Sequence, residues 1–213
     1  MDWIEVLKPA PRRKDIFKGC VIDYAAERPL FSWSETHLNQ CIAAAVRPQA
    51  RNLEVITLAI RELKNQGFSD LAAKEALAKS GLTEIPWLEG LRYRIQTLRN
   101  EFNFDPTGNR SCKVYFILLT ETDQDLTIWG LYVGQTFRKI ETRFQQHKNP
   151  DCKARSGIVL RRGHQLLYSV SSLLPAMTRA NSEEFEQLTL ASLRGKTGRK
   201  KIRRLSEKRV RGN

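Results

Sequence analysis

The residues most able to do chemistry lie in two short stretches, Tyr132-Val133-Gly134 and Arg143-Phe144-Gln145-Gln146-His147. If the second stretch is a helix, Arg143 and His147 share one face because they are four residues apart. Arginine carries a fixed charge that suits bidentate contact with a phosphate, and histidine can relay a proton near neutral pH. A phenol whose pKa is lowered by nearby cations can activate a water molecule. Together these groups suit the cutting of a phosphodiester.

A second phenol and a carboxylate extend the set. Tyr115 lies in a predicted strand, and a hairpin would bring it to the same edge as Tyr132. Three glutamates open the last predicted helix, where the helix dipole favours acidic residues in any case. Glu186 differs from the other two because it stands four residues before Leu190 and seven before Leu193, beside the apolar stripe. A lone carboxylate completed by waters and phosphate oxygens is a plausible Mg²⁺ site.

The elements that must position these residues follow residue 111. β-Branched and aromatic runs predict strands at 112–120, 126–136 and 164–173, the first two paired as a hairpin. Helices are predicted at 139–148 and from Asn181 or Ser182 to Leu193, the latter with Phe185 and Leu188 facing inward. Residues 158–162 are ambiguous. The predicted order is strand, strand, helix, strand, helix.

The sequence pattern predicts that the first hundred residues are mostly helical. Residues 1–32 lack clear periodicity, and their structure is left open. Four helices are predicted, opening at Ser32, Asn52, Ser69 and Thr83. The last of them carries four polar residues that fit either a helix-turn-helix reader or a packing unit with polar residues facing water, and the packing unit is favoured. These residues are Arg92, Arg94, Gln96 and Arg99.

The distribution of charge and of residues that break helices and strands predicts the boundaries between regions of the chain. The formal net charge is +13, yet residues 194–213 hold ten Lys/Arg and one acid, so the other 193 residues carry +4. Such a tail binds phosphate backbones without reading sequence. The cluster Asp105-Pro106-Thr107-Gly108-Asn109 is the strongest boundary signal. We therefore expect an α+β protein with a mostly helical domain at 1–104, a second domain at 105–195 and a basic tail at 196–213.

The ordered set of motifs resembles the GIY-YIG nuclease family. Lys113-Val114-Tyr115 and Tyr132-Val133-Gly134 stand where the family has its two tripeptides, and Ile140, Arg143 and His147 follow its helix pattern. Glu186 with Leu190 and Leu193 looks like the family's metal-binding helix. The resemblance covers residues 112–195 and implies a three-stranded antiparallel sheet flanked by helices. Two positions depart from the family: Lys113 replaces a glycine, and no asparagine follows Glu186 before Asn213.

The resemblance also implies roles for the residues. Tyr132, assisted by His147, would activate the water and Tyr115 would orient it. Arg143 would hold the scissile phosphate and Glu186 would ligate Mg²⁺ or Mn²⁺. We expect further substrate contacts from residues next to the second tripeptide and the helix start. These are Gly134, Gln135, Thr136, Arg138 and Lys139.

The expected function is therefore a divalent-metal-dependent DNA endonuclease, with RNA as a possible substrate. Two alternatives stay open: an inactive nucleic-acid-binding protein, and a nuclease subunit recruited by a protein partner through its helical domain. No apolar run approaches the roughly 20 residues that span a bilayer, and the four cysteines show no CxxC pair. We expect a cytoplasmic or nucleoid-associated protein with reduced thiols and no membrane partner.

Overall fold

The computed structural model describes residues 14–17, 20–104, 111–122, 125–153 and 155–196. A segment that is mostly helical comes first along the chain, and a segment that combines strands and helices follows it. The strands are β1 (Lys14–Phe17), β2 (Cys20–Asp23), β3 (Lys113–Thr120), β4 (Ile128–Thr136) and β5 (Gly163–Leu166). The helices are α1 (Glu35–Ala45), α2 (Leu53–Asn65), α3 (Leu71–Ser80), α4 (Leu88–Glu101), α5 (Ile140–Lys148), α6 (Gly157–Arg162), α7 (Tyr168–Ser171) and α8 (Arg179–Lys196).

Local signals set most helix ends in the first half of the chain. The predicted cap Asn52 is confirmed, because its side chain accepts the backbone N–H of Val55. The first helix is capped by Ser34, which accepts from His37, so the predicted start at Ser32 is two residues early. Gly67 and Gly81 close α2 and α3 with positive φ, as their glycine signals predicted.

The central sheet is antiparallel and three-stranded, with β3 between β4 and β5. The predicted hairpin and the α+β class are therefore confirmed. β3 is buried along nearly its whole length, because it lies between two strands and also contacts three helices. Tyr115 is paired with Gly134 and Ile117 with Tyr132, which fixes the relation of the two phenols.

The third strand is shorter than predicted, and the reason is a buried carboxylate. β5 ends at Leu166, and the chain then turns into α7. The backbone N–H groups of Tyr168 and Ser169 donate to Glu54 of α2, at 2.9 and 2.7 Å. Those two donors are therefore taken by a side chain and cannot continue a strand ladder.

Other differences from the predicted elements are local. Residues 20–23 pair with 14–17 as a small hairpin that the sequence pattern did not reveal. α8 starts at Arg179, before the predicted caps, because the Thr178 hydroxyl accepts the backbone N–H of Asn181. Phe185 is buried as predicted, but Leu188, predicted to face inward, is 42% exposed.

The helical segment and the sheet share a buried interface. Gln165 of β5 accepts the N–H of Leu53 and donates to Asn52, at 3.0 and 3.1 Å. Arg92 is buried and donates to four backbone carbonyls, and Arg94 donates to the carbonyl of Ser192. These internal partners favour the packing-unit interpretation of α4 over a helix that reads bases.

Some predictions lie outside the described residues. The boundary cluster at 105–109 and residues 197–213 of the basic tail belong to this group, so the division into two domains stays a prediction. The four cysteines are free thiols. Among the described helices, none combines the length and apolarity needed to cross a bilayer.

Candidate active site

Two phenols lie side by side on one face of the sheet. Tyr115 is opposite Gly134 in the ladder, and Tyr132 is two residues from Gly134 on the same strand, so both side chains point the same way. Their ring centroids are 6.2 Å apart. Tyr115 is buried, whereas Tyr132 is half-buried. The expectation that a hairpin would bring both phenols together is met.

Gly134 provides the space in which the two phenols meet. A Cβ atom at this position would lie 2.7 Å from Oη of Tyr115 and 2.8 Å from Cε1 of Tyr132. Such distances are well inside van der Waals contact, so any side chain would displace a ring. β4 continues to Thr136, and side-chain rings, not another backbone, approach the glycine most closely.

His147 holds the Tyr115 hydroxyl from the α5 side. Its Nε2 lies 2.8 Å from that hydroxyl, and its Nδ1 accepts the backbone N–H of Ser156 at 2.8 Å. A ring nitrogen that accepts a hydrogen bond carries no proton, so Nε2 carries the proton of the neutral ring. His147 therefore donates to Tyr115, which leaves the phenolic proton of Tyr115 available for another acceptor.

Burial sets the protonation of these groups. It lowers the pKa of His147 to about 4, with a smaller contribution from the positive charge of Arg143. Burial also raises the pKa of Tyr115 well above its ordinary value, and the neighbouring Tyr132 raises it further while Arg143 opposes the change. At neutral pH, His147 and Tyr115 are thus uncharged. Tyr132 is the more exposed of the two phenols.

A basic cavity of about 590 Å³ lies beside this cluster. Its wall contains four basic side chains and no acidic one, which suits an anion. Arg143 connects the cavity to the phenols, because it lines the wall and also shifts the pKa of Tyr115. The lining residues are Cys112, Gln135, Thr136, Phe137, Arg138, Arg143, Gln146, Cys152, Lys153 and Arg179.

Three of the five predicted substrate contacts, Gln135, Thr136 and Arg138, line this cavity. The Gln135 side chain accepts from the hydroxyl of Ser182 on α8, and Thr136 accepts the backbone N–H of Arg138 at 3.0 Å. Gly134 lies under the two phenols instead. Lys139 lines a separate cavity next to Lys113 and Glu141. The strand end and the following turn therefore shape the basic wall.

Glu186 is half-buried on α8, one helical turn after Ser182. It does not line the basic cavity. Within the described part of the chain, no group of three or more His, Cys, Asp or Glu side chains could hold a metal ion. A single carboxylate is enough for Mg²⁺ only when waters and substrate phosphates supply the other oxygens. Glu186 would therefore need waters and a substrate phosphate to complete a metal site.

Sequence reasoning missed several residues that build the site. Lys153 and Arg179 supply half of the basic side chains in the cavity wall, and Ser156 fixes the tautomer of His147. Phe137 follows the last residue of β4 and lines the same wall. Its position directly between Thr136 and Arg138 was the one signal that could have identified it.

Comparison with known proteins gives no further assignment: no protein-family model, curated protein or solved structure matches this chain.

Proposed function

We propose that the protein hydrolyses phosphodiester bonds in DNA, with a site of the GIY-YIG type. The observation that supports this most is that Arg143 lies between two features of the site, the phenol pair and the basic cavity. On one side is the pair of phenols held around Gly134, and on the other is a cavity with four basic and no acidic side chains. An anionic ester bound in the cavity would present its phosphorus to the phenols.

The proposed roles follow from burial and hydrogen bonding. Tyr132, as the phenolate, takes the proton from the attacking water, since it is the more exposed phenol and its ring lies 6.2 Å from that of Tyr115. Tyr115 stays protonated and orients that water or a phosphate oxygen through its hydroxyl group. Arg143 binds the non-bridging oxygens and neutralises the charge that develops on them. His147 is a positioning residue that acts through Tyr115.

The proposal includes a divalent metal ion, for which Glu186 is the proposed protein ligand. A bound Mg²⁺ or Mn²⁺ supplies Lewis acidity to the departing oxygen. Glu186 would hold it together with waters and the substrate phosphate, since the described residues bring no second carboxylate to it as part of a three-ligand group. The basic side chains of the cavity hold the substrate whether or not the metal is present.

Cleavage of labelled DNA tests the proposal. Single-stranded, duplex and branched oligonucleotides are incubated with the full chain in Mg²⁺ or Mn²⁺. Tyr132→Phe removes only the hydroxyl, and Glu186→Gln removes only the charge, so both are expected to lower the rate at least about 100-fold. Glu184→Gln is the matched control, because Glu184 is exposed on the same helix. Cleavage that persists in Tyr132→Phe or Glu186→Gln would refute the mechanism.

One observation favours the alternative of binding without cleavage. Glu186 is the one carboxylate proposed as a ligand, and it lies outside the basic cavity. If the wild-type chain binds DNA with strong salt dependence yet cuts none of the substrates in either metal, the alternative replaces the hydrolase. Tyr132→Phe should then leave the affinity unchanged. Arg143→Ala should weaken it in either case, because the phosphate contact is common to both functions.

A further inference from the structure

An exposed aromatic ring stands in the wall of the basic cavity. Phe137 is 54% exposed, although most large apolar side chains near the sheet are buried. Its neighbours in the cavity wall include Arg138 and Arg179. Single exposed apolar side chains are common on protein surfaces, so it is the place of this ring in the cavity wall that matters.

The Phe137 ring contacts the cation of an ion pair. The guanidinium carbon of Arg179 lies over the Phe137 ring, 6.0 Å from its centroid. Glu183, one turn later on α8, accepts from Nε of Arg179 at 2.8 Å and fixes that guanidinium. On the backbone side, the turn is closed by the N–H of Arg138, which donates to Thr136. Phe137 is therefore an exposed ring with the Arg179 guanidinium over it, in a wall that also contains Arg138.

An exposed ring in the wall of a basic cavity matches a nucleotide better than an isolated phosphate. The cations meet the backbone, and the ring meets the face of a base. In an intact duplex both faces of each base are covered by neighbouring bases. A protein ring can therefore stack only where a base has lost a neighbour, at a strand end, a bulge, a branch or a single strand.

We propose that Phe137 stacks on an unpaired base next to the scissile phosphate, so that the preferred substrate is DNA with a single-stranded or branched segment. This rests on the proposed function, because it assumes that the cavity binds nucleic acid. Phe137 lies three residues after Gly134, which corresponds to roughly 10 Å along an extended strand. That distance places the stacked base within one or two nucleotides of the phenols.

Binding without divalent ions tests the inference separately from catalysis. Two duplexes of equal length and charge are compared, one fully paired and one with a single unpaired 2-aminopurine, whose fluorescence is quenched by stacking. Phe137→Ala is expected to weaken binding to the second about tenfold or more, given the usual contribution of one base–aromatic stack. Affinity for the paired duplex should change less than twofold.

Two further variants make the result specific. Phe137→Trp keeps an aromatic face and should retain both the affinity and the quenching. Tyr93→Ala removes an aromatic side chain that is 74% exposed on α4, away from the cavity, and should change neither. Equal losses on both duplexes, or no loss in Phe137→Ala, would overturn the inference. The protein could cleave DNA even if Phe137 does not stack on a base. Phe137 could also stack on a base in a protein that does not cleave DNA. The stacking inference and the proposed hydrolysis can therefore be refuted independently.

Discussion

His147 donates a hydrogen bond from Nε2 to the hydroxyl of Tyr115, across 2.8 Å of the protein interior. The direction is fixed on the far side of the ring, where Nδ1 accepts the N–H of Ser156. An imidazole held in this way cannot also take a proton from water at Nε2. Its effect on chemistry therefore passes through Tyr115, whose hydroxyl group it positions.

Removal of the imidazole should cost both stability and activity. His147→Ala leaves the Ser156 N–H without its acceptor and opens space beside Tyr115, so we expect a loss of about 1–3 kcal/mol in the free energy of unfolding. Urea denaturation measures it. Cleavage should fall at least about tenfold through the misplaced phenol. His37→Ala, on the partly exposed start of α1, is the control and should cost less than about 1 kcal/mol.

The same histidine predicts a pH dependence of stability. Its pKa is about 4 in the folded chain and about 6.5 in the unfolded chain, so between these values the unfolded state binds more protons. The contribution of His147 is full above pH 6.5 and is lost as the pH falls towards 4, by up to roughly 3 kcal/mol. Urea denaturation of the wild type and His147→Gln at pH 7.5, 5.5 and 4.5 measures this.

The effect of Glu54 on the pH dependence of stability must be separated from that of His147. Burial raises the pKa of Glu54 to about 7, so its contribution is full below its ordinary pKa and is lost as the pH rises through 7. The two residues therefore act in opposite directions. Because Glu54 is present in both proteins, the difference between wild type and His147→Gln isolates the histidine. A difference that does not change between pH 7.5 and 4.5 would contradict the burial of a neutral imidazole.

Gly134→Ala should disturb the phenol pair directly. The added methyl group would overlap both Tyr115 and Tyr132, and overpacking of this kind costs about 1–3 kcal/mol. Thermal unfolding and DNA cleavage should both show the loss. Gly90→Ala is the matched control, because a Cβ there meets no atom within 4 Å and the position is helical. That variant should be neutral or more stable by up to about 1 kcal/mol.

Periodicity and turn signals predicted the parts of the fold that depend on local sequence. The strands around Tyr115 and Tyr132 and the helix carrying Arg143 and His147 were of this kind, and the structure brings these residues together. Hairpin register explains the success. Once the two strands pair, residues two apart share a face, so the position of one phenol determines the position of the other.

The failures depend on contacts between residues distant in sequence. The strand predicted through residue 173 ends early because Glu54, more than a hundred residues away, takes the next two backbone donors. Lys153 and Arg179 reach the cavity from a loop and from α8, and no local pattern marks them as neighbours of Arg138. Such long-range pairs carry no periodic signal, so a single sequence could not reveal them.

The basic cavity predicts the salt dependence of binding. Each phosphate that a side chain neutralises adds about one to the slope of log affinity against log salt concentration. Arg143→Ala and Lys153→Ala should therefore each reduce the slope by about one, measured by fluorescence anisotropy on labelled DNA between 50 and 200 mM salt. Arg99→Ala removes an exposed charge from α4 and should leave the slope unchanged. Equal slopes in all four proteins would show that the phosphates bind elsewhere.

Glu54 joins the helical segment to the sheet, and its removal should have the largest effect on stability. Its carboxyl group is buried, accepts the N–H groups of Tyr168 and Ser169, and lies near the buried guanidinium of Arg92. Glu54→Ala would leave two donors unpaired and remove a counter-charge, so we expect a loss of about 3–5 kcal/mol in urea denaturation. Glu184→Ala, exposed on α8, should cost no more than about 0.5 kcal/mol. A loss below 1 kcal/mol for Glu54→Ala would mean that the two regions are stable without this contact.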